Sequence, residues 1–352
     1  MKVRFLSGLS AIFTLLFMVL VIFDAKIGRN GAFSGFLLCG RVIIPSLFPF
    51  TVLVIFLIKN GILERLKIIE NITTSIFCLN YKEFSVLLLS FFGGFPISAK
   101  LLNDMVKRKE INPERAGVIL CFTVNAGPAF IISAVGIGVF ENQEIGLILF
   151  IAQILASLFL CFFARFDLKK NLSPKVYKTN YTNITDSFIE ATSEASQTII
   201  KISAFVIFFS FINSYILYFA KILPYLKIVS LFLEVTNSVN LTKNIYIITF
   251  LLGFAGFCVW FQIFSIADLL KIKFFKFIIF RVLQGALSVL FTKCMLMVFK
   301  INVSVFSNIS NISAEILYST PELSISLLFT VMVFVISVFT KKYTGKFSDD
   351  VL

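Results

Sequence analysis

Most of this chain is laid out in apolar runs of about twenty residues, the length at which an α-helix crosses a hydrocarbon core about 30 Å thick. Residues 5–23 and 145–164 hold no charged side chain at all. Inside a bilayer the backbone N–H and C=O groups have no water to bond, so only helices and closed barrels can span it. Continuous runs of this length, without strict alternation, select helices. Composition agrees: 58% of the 352 residues are apolar and 14% are charged, where a soluble domain carries about a quarter. The 45 Phe against a single Trp suit lipid-facing helices. The expected fold class is all-α, a polytopic helical membrane protein.

Several chemistries are excluded. The chain has no His, which removes a Ser-His-Asp triad, a His-ligated metal and a histidine acid or base. The six cysteines, Cys39, Cys78, Cys121, Cys161, Cys258 and Cys294, are far apart and form no C-x-x-C pair, so neither a metal site nor a disulfide framework is expected. No nucleophile and base stand together, so the expectation is a protein that is not an enzyme and takes no cofactor. The net charge of +13 sits in short loops rather than along one face, which fits anionic lipid headgroups and the positive-inside bias rather than nucleic acid. Matches to N-x-[ST] at Asn71, Asn183, Asn308 and Asn311 are expected by chance in a chain rich in these residues.

Residues 5–23, behind Lys2 and Arg4 and with no small-residue cleavage site following, read as a leading transmembrane helix rather than a signal peptide. A second span is expected at 45–63, after a glycine-containing segment, 33–44, with the isolated Arg41. Two further runs are interrupted: 84–106 by Gly93-Gly94-Phe95-Pro96, and 116–140 by Asn125-Ala126-Gly127-Pro128. Spans at 145–166, 184–219, 274–299 and 322–340 and a short apolar segment at 222–235 complete the set, with another broken run at 245–266.

An internal repeat accompanies the breaks. Residues 90–100 laid over 252–262 align Phe-Gly-Gly-Phe with Phe-Ala-Gly-Phe, and place Lys100 on Gln262. The expected organisation is a leading helix at 1–32, a first unit at 33–166, a polar linker at 167–187, a second unit at 188–340 and a polar tail at 341–352. If the broken elements turn back within the membrane, the units are inverted, as in many secondary transporters. If they cross, the units are parallel. The distribution of Lys and Arg leans toward crossing. The polar arm holding Lys100, Asn103 and Asp104 favours re-entrant hairpins, and hairpins are the expectation taken forward.

Irregular backbone at membrane depth is tolerated only where protein or a water-filled cavity surrounds it. Gly93, Gly94, Phe95, Pro96, Lys100, Asn125, Pro128, Glu234, Gly256 and Gln262 are therefore the expected lining of a solute site; glycines that merely let helices approach are the competing explanation. Glu190, Glu194, Gln197 and Lys201 share one helical face. They form either a buried stripe against the other unit or a headgroup-level cluster with Lys201 snorkelling. Lys100 reads as a structural counter-ion, and it or Arg281 would neutralise Asp104, Glu234 or an anionic solute.

Three motifs in order, Pro45-Ser46-Leu47-Phe48-Pro49-Phe50, Gly94-Phe95-Pro96-Ile97-Ser98-Ala99-Lys100 and Asn125-Ala126-Gly127-Pro128-Ala129-Phe130, resemble the YlbJ-type sporulation integral membrane proteins. Leu233-Glu234-Val235-Thr236, Gly253-Phe254-Ala255-Gly256-Phe257 and Gln262 are similar to that family's second module. The resemblance implies a nucleoside recognition or gate domain and a role in spore formation. Ser98, Asn237 and Trp260 depart from the family pattern; Trp260 stands where a histidine is frequent and puts any role of that position in doubt. The implied setting is a bacterial cell membrane, of forespore or mother cell, with the lipid bilayer as partner and a small nucleoside-like solute or ion between the repeats. The alternative is a structural component of a sporulation membrane complex that transports nothing. Oligomeric state is left open.

Overall fold

The computed structural model describes residues 14–22, 24–169, 183–236 and 241–299. The expected span at 322–340, the tail at 341–352, residues 1–13 of the leading helix and residues 170–182 of the linker lie outside the described residues. No strand occurs among the described residues, and five helices are long and apolar enough to cross a bilayer. The protein is a polytopic helical membrane protein.

Helix α1 covers residues 14–22. It is followed by α2 (Ala25–Lys59), which is 35 residues long, or about 52 Å at 1.5 Å per residue. The glycine segment expected to precede the second span is therefore itself helical. Gly31, just before that segment, and Gly35 within it make a packing face: a Cβ on Gly31 would sit 2.4 Å from Ser214 Oγ, and one on Gly35 would sit 2.8 Å from Ser210 Cβ. Both serines belong to α9 (Ile184–Phe219). Lipid tails are as apolar as leucine, so helices in a membrane associate through such close approach rather than by the hydrophobic effect. Pro45 cannot donate to the preceding turn, and α2 widens there into a π segment, Cys39–Ile43, in which the Ile44 N–H reaches back to Cys39 O.

A short amphipathic piece, α3 (Ile62–Phe77), meets α4 (Tyr81–Gly93) at 86°. Asn80 starts α4 with a capping box, its side chain accepting from the Glu83 N–H while the Glu83 carboxylate accepts from the Asn80 N–H. Glu83 also holds Arg115 by two bonds, of 2.6 and 2.8 Å, and Arg115 closes on Leu168 O. The pair is fully buried. After the break at Gly94, α5 (Ile97–Lys107) leads to α6 (Pro113–Phe122). Residues 123–127 are unwound, and α7 (Ala129–Phe140), largely a π-helix, packs Gly136 against Gly146 of α8 (Gln143–Leu168).

In the second half, α10 (Leu226–Leu233) precedes α11 (Ile245–Phe254), α12 (Gly256–Ile266) and α13 (Phe274–Phe299). Asn244 caps α11 through the Tyr246 and Ile247 N–H groups. The hairpin expected at the second break is corrected: α11 and α12 run on as one 22-residue stretch long enough to cross. The cause is local. Ala255 (φ 70°) and Gly256 (φ 57°) both take a left-handed conformation, and the Ala255 N–H still donates to Leu251 O, so the helix resumes at Gly256 without an intervening loop. The Trp260 indole N–H donates to Phe254 O at 2.9 Å, so Trp260 satisfies a carbonyl that the break would orphan.

Candidate functional site

The broken elements converge. Gly94 (φ 79°) and Gly256 (φ 57°), which the repeat puts in register, both hold a backbone conformation that disfavours a side chain. Between the breaks is a small cavity of about 40 Å³. Phe95 and Pro96 come to it from the first break, Gly127 from the unwound strand, Glu234 from the end of α10 and Gln262 from α12, with Ser46 from α2. About 10–15 Å³ is enough for one water, so the space takes water-sized species and a nucleoside would require it to open. Glu234 is 2% exposed, and its carboxylate accepts from the Thr236 N–H at 3.0 Å.

Other expected residues stand behind this wall. Gly93 and Gly94 are backed by Ile97 and Leu47, and Gly256 by Val235. Pro128 opens the turn into α7. Asn125 is 1% exposed and donates to Ser90 Oγ at 3.1 Å and to Ser157 Oγ at 3.2 Å. Its Oδ1 accepts from Gln284 Nε2 at 3.4 Å.

Lys100 lies apart from the cavity. It is bonded to Asp104 at 2.8 Å and to Glu194 at 2.6 Å, while Lys59 holds Glu190 at 2.5 Å and Glu194 at 2.9 Å. Glu190 and Glu194 thus face residues of the first half. This network edges a cleft of about 560 Å³ that also includes Lys82, Arg108 and Glu110. Asn103, on the same arm as Lys100, bridges to Asp268 and to the Leu269 N–H.

Arg281 corrects the expectation of a carboxylate partner. Its guanidinium is fully buried and donates to backbone carbonyls, to Val124 O at 2.6 Å, to Cys121 O, and to Gly253 O at 3.4 Å. The last carbonyls of a helix lack intrahelical donors and carry the negative end of its dipole. One cation therefore caps both α6 and α11. Ser157 donates to Phe122 O at the start of the unwound segment. Sequence reasoning missed Ser157, Gln153 and Gln284 here. The signal available for Gln284 was its spacing from Arg281, three residues along one helix.

Over 334 aligned residues, the chain is 25% identical to the sporulation integral membrane protein YlbJ of Bacillus subtilis (strain 168). The alignment covers 80% of this chain and 81% of that protein, and bears out the YlbJ-type resemblance carried by the motifs. No family model matches the chain, and no solved structure does.

Proposed function

We propose that this YlbJ-like chain acts in spore formation as a multi-pass membrane transporter for a small polar solute or ion, held in the cavity between the two broken helices. It works by binding and passage rather than by making or breaking bonds. One observation carries the proposal: residues 138 to 167 positions apart in sequence, Phe95 and Pro96 on one side and Glu234 and Gln262 on the other, border the same small cavity. Nothing in a bilayer rewards burying a carboxylate such as Glu234 for its own sake, and intramembrane carboxylates usually serve ions, protons or solutes.

The test replaces Glu234 with Gln and Gln262 with Ala in an endospore-forming host that depends on the chain. Heat-resistant spore counts are expected to fall while membrane abundance and melting temperature stay normal. Normal spore counts in both variants would refute the solute site and favour the structural role. Purified protein in liposomes, offered nucleosides, monovalent cations and small spore solutes, supplies the second arm, in which uptake of none overturns the transport reading.

A further inference from the structure

The buried face of α13 is polar along its middle. Arg281, Gln284, Ser288 and Thr292 follow at helical spacing and are each at most 1% exposed, with Phe277 and Leu296 closing the two ends of the stripe. From Arg281 to Thr292 it rises about 16 Å, half the thickness of a hydrocarbon core. On this face Arg281 Nε, Gln284 Oε1, Ser288 Oγ and Thr292 Oγ1 have no hydrogen-bond partner, and neither does Gln153 Oε1 on the neighbouring α8. The two amides cannot turn to help one another. Gln153 Nε2 is committed to Leu252 O at 3.2 Å, and Gln284 Nε2 to Gln153 O at 3.1 Å.

A buried polar atom without a partner costs a few kcal/mol each, and here five of them share one interface inside a membrane. We propose that this interface holds a file of bound water running along α13 beside α8 and α11, separate from the central cavity. The chemistry selects water over an ion. The fixed positive charge of Arg281 disfavours a cation, and two outward amide oxygens disfavour an anion. Water both donates and accepts, and with two to four partners it satisfies amide oxygens, hydroxyls and a guanidinium N–H together. The file adjoins the central site through Asn125, which bonds Gln284 and lies two residues from Gly127 of the cavity wall, and through Val124 O, which accepts from Arg281. It thereby hydrates the back of the unwound strand.

Water-edited solid-state NMR on the full-length protein in lipid bilayers tests this directly. Magnetisation from water is expected to reach Ser288, Thr292 and the side-chain amides of Gln153 and Gln284 several-fold faster than Leu283 and Leu290, which are 43% and 53% exposed on the outer side of the same helix. Transfer to Ser288 and Thr292 no faster than to Leu290 would overturn the proposal. Thr292→Val gives an independent sign. A hydroxyl bonded to water is missed when removed, so the melting temperature is expected to fall; a dry, unpaired hydroxyl is better absent, so an unchanged or raised melting temperature overturns the file.

Discussion

Replacing Arg281 with Leu tests whether one buried cation holds the two breaks together. The substitution keeps a bulky apolar filler and removes the donors to Cys121 O, Val124 O and Gly253 O. Hydrogen bonds to a charged group contribute about 1.5–3 kcal/mol each, and an orphaned buried carbonyl costs about 1–3 kcal/mol. Two of the three bonds are close. Leu recovers the cost of burying a charge, which is why exchanging a buried ion pair for hydrophobic side chains is often neutral. Here the partners are backbone and cannot be exchanged with it. The expected loss is about 2–5 kcal/mol. Arg281→Lys is not a rescue, because a single ammonium cannot reproduce the guanidinium fork yet keeps the unsolvated charge. The assay is denaturant titration of the protein in mixed micelles, followed by the fluorescence of Trp260. That residue is the only Trp in the chain, and its ring lies 5.5 Å from Phe277, one turn before Arg281 on α13. An Arg281→Leu protein within about 0.5 kcal/mol of the parent, with unchanged Trp260 emission, would refute the capping argument.

Glu83→Gln breaks the bidentate bond to Arg115 and strands a buried cation, with an expected cost of about 3–5 kcal/mol in the same titration. Gly31→Leu must push α2 off α9, since even a methyl group would come 2.4 Å from Ser214 Oγ and 2.8 Å from Ser210 O. Membrane abundance and melting temperature should both drop. Glu194→Gln, by contrast, touches a carboxylate whose side chain is 33% exposed. Its stability effect is expected to stay within about 1 kcal/mol and to shrink further in high salt, which a melting series in increasing NaCl checks.

The breaks were legible because Gly, Pro and Asn interrupt apolar runs in few other ways, and Gly94, Asn125–Pro128 and Gly256 are where the helices stop or restart. The start of α2 was not. Gly28, Gly31 and Gly35 read as irregular chain in a soluble protein, whereas in a membrane the same residues mark a close helix contact. The pairing of Lys100 with Glu194 spans 94 positions, and no local pattern announces it. Arg281 was visible as a buried cation, but its partners are carbonyls, and a carbonyl belongs to every residue alike. The hairpin expected at the second break failed on two dihedrals. Ala255 and Gly256 take the left-handed turn between them, and the helix restarts with no loop in between.

These contacts divide the molecule by how firmly its parts are joined. Gly253 approaches Gly285 so closely that a Cβ would lie 2.7 Å from its Cα, and Gly136 meets Gly146 in the same way. Those joints depend on backbone fitting backbone, and separating them would forfeit dispersion contacts that lipid restores only in part. Arg281 adds bonds to the Val124 and Cys121 carbonyls beside them. The joints around Lys59, Lys100, Glu190 and Glu194 differ, because they border an open cleft where water can take over each bond as it parts. On the proposed reading, opening the small central cavity to a solute costs least where water substitutes for the lost contacts. The ion-pair cleft between α2, α5 and α9 would then yield first, and the α6–α11–α13 junction under Arg281 would stay fixed.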